Sequence, residues 1–161
     1  MKKIKLYLDT STLGGIFDTE DTARVSAAKN LLELIKNKTY EGFISYLTLL
    51  EIQRAPLKIK NELERLIADA GLSLIEETKE CIELSEAYLH DKVIPVKYRD
   101  DARHIAIAVY HQIDYIVSWN YRHMANITVR RLINSVNLRL GFSPIDIVPP
   151  EEVTGYGEVE I

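Results

Sequence analysis

Cysteine and tryptophan each occur once in this chain, phenylalanine three times and proline five times. A lone Cys81 excludes an intramolecular disulfide framework and suits a reducing compartment. It falls in Glu80-Cys81-Ile82-Glu83-Leu84, an amphipathic stretch that predicts a buried structural thiol. No apolar run approaches the roughly 20 residues that a membrane-spanning helix needs. The segment Ile4 to Asp9 is too short for a signal-peptide core and ends in a charge. A cytoplasmic protein without membrane attachment is expected. Gly14-Gly15 lacks the lysine and the spacing of a phosphate loop. No cysteine or histidine cluster has zinc-ligand spacing.

What remains is an ordinary globular composition, 47% hydrophobic and 27% charged, of a size that forms one domain with its own core. The expected domain covers residues 1–150, with 151–161 a loosely held acidic tail. The formal charge is −4, which argues against general nucleic-acid binding. Its distribution is uneven. Lys92 to Arg139 holds eight Lys/Arg against three Asp/Glu, a net of +5, leaving −9 for the rest. A basic stretch on an acidic protein is compatible with a polyanion meeting one face, and equally with solvated helix surfaces.

Hydrophobic periodicity predicts strands at Ile4–Leu8, Gly42–Ser45, Leu72–Ile75, Tyr115–Ser118 and Ile145–Val148. It predicts helices at Thr22–Lys38, about Leu47–Gln53, Leu57–Ala70, Thr78–Leu89, Asp100–His111 and Thr128–Leu140. Ala55-Pro56 separates two of these and Gly141 ends the last. Strands alternating with helices predict an α/β fold, an open and mostly parallel sheet covered on both faces as an α/β/α sandwich.

Three carboxylates stand in apolar surroundings. Asp9 ends the first strand, Glu51 lies in Leu47-Thr48-Leu49-Leu50-Glu51-Ile52, and Asp101 opens the helix Asp100 to His111. In parallel sheets ligands gather beyond the carboxyl ends of the strands, where the following helices begin. Connectivity therefore sends Asp9, Glu51, Asp101 and Asn120 to one edge. At about 100° per residue, Asp101 borders the apolar face formed by Ala102, Ile105, Ala106 and Val109. Asp100 points outward as the expected N-cap, with His104 solvated and paired to it. Asp114 is expected in a turn and Trp119 in packing. Two carboxylates about 4 Å apart repel by roughly 4 kcal/mol at an effective dielectric near 20. Three gathered acids therefore call for a cation, and Mg²⁺ takes one or two carboxylates together with waters and substrate phosphate.

In order, Leu8-Asp9-Thr10-Ser11, Leu50-Glu51-Ile52, Asp101-Ala102-Arg103-His104-Ile105-Ala106 and Ser118-Trp119-Asn120 resemble a PIN domain over roughly residues 4 to 150. The likeness is nearest to the prokaryotic VapC toxins of type II toxin–antitoxin pairs. That resemblance implies a Mg²⁺- or Mn²⁺-dependent ribonuclease cleaving single-stranded RNA. Asp9, Glu51 and Asp101 match its metal-binding acids, and Ser118 and Asn120 match its fourth motif. It also implies homodimerisation and an antitoxin partner. Asn120 departs from the pattern, being neutral where many members carry Asp. Arg103, Arg122 and His123 are candidates for backbone phosphate contact. The competing expectation is a weak or inactive PIN-fold module that binds nucleic acid or protein without turnover.

Overall fold

The computed structural model describes residues 2–120 and 122–155. Five strands form one sheet: β1 (Lys5–Leu8), β2 (Glu41–Ser45), β3 (Ser73–Ile75), β4 (Tyr115–Val117) and β5 (Asp146–Val148). Their spatial order is β3-β2-β1-β4-β5, and all four pairings are parallel. The first strand is central, with Tyr7 opposite Phe43 on one side and Ile116 on the other.

The pleat sends alternate residues to opposite faces, and each face has its own core. Tyr7, Phe43, Ile116 and Ile147 pack against helices α5 (Lys79–His90), α6 (Arg99–Tyr110) and α7 (Ile127–Arg139). Leu6, Leu8, Ile44 and Val117 face α2 (Thr22–Lys36) and α4 (Leu57–Ala70). The result is the expected three-layer α/β/α sandwich. Short α3 (Tyr46–Gln53) follows β2 directly, with Leu47 packed on one core and Ile52 on the other. Cys81 is buried in the first core. Gly141 ends the segment after α7 with φ +85°, a left-handed conformation that favours glycine.

Two α-helices depart from expectation. A one-turn helix, α1 (Thr10–Gly14), follows β1 at once, capped by the Asp9 side chain accepting from Thr12 N–H. At the other end α8 (Pro150–Thr154) takes up residues 151–154 of the expected tail. Thr154 is buried, and the Tyr40 hydroxyl donates to the Val153 carbonyl. Proline at the first helical position starts this helix rather than barring one. Residues 156–161 of the expected tail, and Tyr121, lie outside the described residues. Among the described residues no helix is long and apolar enough to cross a membrane.

Candidate active site

Asp9 leaves β1 with extended backbone and is almost fully buried. Its Oδ1 accepts from Ser11 Oγ at 2.8 Å, Thr12 N at 3.0 Å and Thr12 Oγ1 at 3.1 Å. Its Oδ2 accepts from Ser118 Oγ at 2.5 Å. These donors, with the Thr12 hydroxyl shared with the Val117 carbonyl at 2.8 Å, fix the orientation of the buried carboxylate and offset its desolvation. The same Ser118 Oγ accepts from Asn120 N–H at 2.9 Å. The adjoining strand ends β1 and β4 are thus joined by side chains as well as by the ladder.

Asn120 carries the linkage to α6. Its Oδ1 accepts from the His123 backbone N–H at 3.2 Å, and its Nδ2 donates to Asp101 Oδ2 at 3.2 Å. The backbone N–H settles the amide orientation, because only the oxygen of Asn120 can face it. Asn120 therefore presents its donor side to Asp101 and closes the turn with its acceptor side. Burial pushes the Asp101 carboxyl above the ordinary aspartate range, opposed by His104, Asn120 and His123 and reinforced by the charge of Asp9.

Glu51 takes another partner. Its carboxylate contacts Nε2 of His104, while Nδ1 of that ring lies 2.6 Å from the Tyr7 hydroxyl. Tyr7 in turn meets Ser45 Oγ at 2.7 Å. His104 is buried, not solvated, and it pairs with Glu51 instead of Asp100. The reason is that α6 is covered on nearly every side: Ala102 and His104 through Val109 are all buried. From His104 to Val109 the helix therefore offers no solvated position. Asp100 is not the N-cap either. The helix begins at Arg99 behind Tyr98, and Asp100 bonds to Arg103 at 3.1 Å.

Arg103 is further committed to Glu77, with Nε to Oε2 at 2.8 Å and Nη2 to Oε1 at 2.7 Å. The Glu77 hydrogen bonds push its guanidinium pKa further up. Arg122 is exposed, and His123 stacks on Tyr98 with ring centroids 3.5 Å apart. Trp119 packs, as expected: its Nε1–H donates to both oxygens of Glu151 at 2.9 and 3.0 Å, and the Arg24 guanidinium lies 5.1 Å from its ring. A Cβ on Gly15 would stand 2.1 Å from the indole, so only glycine fits beneath it. Sequence reasoning missed Tyr7, Ser45, Ser11 and Thr12 as members of this network. Only the Thr10-Ser11-Thr12 hydroxyl run beside Asp9 gave a signal.

Among the described residues no three His, Cys, Asp or Glu side chains are grouped to hold a metal ion. Asp9 and Asp101 are linked through Ser118 and Asn120, and two carboxylates with waters are a ligand set that a hard cation such as Mg²⁺ takes. The PIN-domain family model matches residues 5–122. The chain belongs to the PIN-domain family. This PIN domain is similar in fold to DNA-bound VapBC from Salmonella typhimurium, with TM-score 0.61, 18% identity, and 91% of this chain and 98% of that chain covered. VapBC2 from Rickettsia felis, bound to a promoter DNA fragment, gives 0.60 at 14% identity with the same coverage. VapC20 from Mycobacterium tuberculosis, described as a sarcin–ricin-loop-cleaving toxin, gives 0.54 at 18% identity over 73% of this chain and 91% of its own. No curated protein sequence matches this PIN domain.

Proposed function

We propose that this PIN domain is a Mg²⁺- or Mn²⁺-dependent endoribonuclease acting on single-stranded RNA, and the toxin of a toxin–antitoxin pair. The observation that carries the reading is the joined pair of acids, Asp9 and Asp101, at the carboxyl edge of adjacent strands in a PIN fold. Neither has a cationic side chain hydrogen-bonded to it among the described residues. Asp9 and Asp101 would hold the cation, and Glu51 is the third acid available to it. A bound divalent cation supplies an activated water and neutralises charge on the leaving oxygen.

The chain's own residues do the rest. Ser11, Thr12 and Ser118 hold Asp9 rigid by donating to it. Asn120 aims Asp101 through its amide N–H. Arg122 and His123 lie on the turn just past β4 and offer contact to the RNA backbone, whereas Arg103 is held by Glu77 and serves the fold first. The toxin assignment draws on the resemblance to VapBC proteins, and so does the expected antitoxin and homodimer.

The test is cleavage of a single-stranded RNA oligonucleotide by purified protein in Mg²⁺ or Mn²⁺, with loss of cleavage in EDTA. Undiminished cleavage in EDTA by a contaminant-free preparation would overturn the reading. The neutral Asn120 favours a second reading, a PIN-fold module that binds RNA or protein without turnover. RNA bound in Mn²⁺ and left intact is the outcome that selects it.

A further inference from the structure

We propose that His104 is a positioning residue that clasps the Glu51 carboxylate away from the Asp9–Asp101 pair, so that Glu51 joins a bound cation only by leaving the imidazole. The inference rests on the metal-dependent reading above and adds an ordering device to it. Four residues build the clasp: Tyr7 from β1, Ser45 at the end of β2, Glu51 from α3 and His104 from α6. Each lies close in sequence to an acid of the site or is one. Tyr7 precedes Asp9 by two positions, and His104 follows Asp101 by one helical turn.

An ionised carboxylate only accepts hydrogen bonds, so His104 Nε2 carries the hydrogen shared with Glu51. That fixes the ring's orientation, and the Tyr7 hydroxyl at 2.6 Å occupies the opposite nitrogen. Both polar ends of the ring are therefore engaged, in a residue only 2% exposed. The side chain is braced from the sheet, because Tyr7 is itself fully buried and held by Ser45. Glu51 is the more accessible partner: its side chain is 25% exposed against 3% for His104. Three acids are present on the edge, yet among the described residues no three are grouped for an ion.

Calorimetric Mn²⁺ titration of the RNA-free protein tests the clasp without reference to cleavage. His104→Leu fills the space and removes the donor, and should bind Mn²⁺ about tenfold more tightly, the scale on which partners of metal ligands alter affinity. His104→Gln keeps an N–H donor and should return toward the wild-type affinity. Adding Glu51→Gln to His104→Leu should erase the gain, since Glu51 is the group released. Unchanged or weaker Mn²⁺ binding in His104→Leu overturns the clasp and leaves the metal-dependent reading standing. Absence of Mn²⁺ binding in wild type and variant alike overturns both. A second measurement uses the wild-type chain and survives any misfolding of the variants. Among four histidines, the Nε2 hydrogen of His104 should lose its protection from exchange in NMR spectra on saturation with Mg²⁺. Retained protection in a Mg²⁺-loaded protein overturns the clasp.

Discussion

Adjacent aspartates at the start of α6 have unlike surroundings and should give unlike variants. Asp101→Asn removes one of the two joined acids and should abolish RNA cleavage. Asp100→Asn gives up a half-exposed pairing with Arg103, worth about 0.5 kcal/mol, and should cleave normally. A dead Asp100→Asn would reverse the assignment. The pH dependence of stability follows from the raised Asp101 carboxyl. A carboxyl raised in the folded state binds protons more tightly there than in the unfolded chain. Its contribution to stability is therefore greatest at low pH and declines as pH rises from the ordinary aspartate range through the folded value. In EDTA, the melting-temperature difference between Asp101→Asn and wild type should grow in favour of the variant across that window. Asn120→Asp should tighten Mn²⁺ binding in the RNA-free protein while lowering its melting temperature in EDTA, because it replaces a donor facing Asp101 with a like charge. Calorimetric titration and a thermal melt check the two halves. The acids themselves were legible as charges breaking apolar runs. His104 was not, because helical periodicity assigns polar residues to an outer face, whereas α6 is buried at every position from His104 through Val109.

Most element positions were legible because their apolar spacing matches one period throughout. The observed strand Tyr115–Val117 and helix Leu57–Ala70 differ from expectation by one residue or none. The two missed helices, α1 and α8, are each five residues long, too short to display a period. Both are set by caps and tertiary contacts: Asp9 and its hydroxyl donors for α1, and Pro150, Thr154 and Glu151 for α8. Glu151 ties α8 to Trp119, whose neighbours Ser118 and Asn120 belong to the candidate site. Glu151→Ala leaves a buried indole N–H unpaired and should cost about 1–3 kcal/mol in chemical denaturation. The sole tryptophan reports directly, so its emission should shift in the folded variant. An unshifted spectrum with unchanged stability would show that α8 holds nothing.

For the whole molecule, the parallel order β3-β2-β1-β4-β5 decides which distant residues meet. Saturating Mn²⁺ should stabilise the fold, by about 2.7 kcal/mol at a hundredfold excess over Kd, with a smaller gain in Asp9→Asn. Equal melting shifts in the two proteins would remove Asp9 from the ligand set. An expectation that the acids meet at one edge was legible from connectivity alone. Their hydrogen-bonded linkage was not, because it depends on which hydroxyl or amide fills each gap. The Asp9 carboxylate takes a hydrogen bond from a serine 109 positions further along the chain. A nascent chain halted before Ser118 already contains Asp9, Glu51 and Asp101, but lacks the strand end that ties the first to the last. For a protein proposed to cut RNA, the blade is therefore assembled only after the ribosome has passed Ser118.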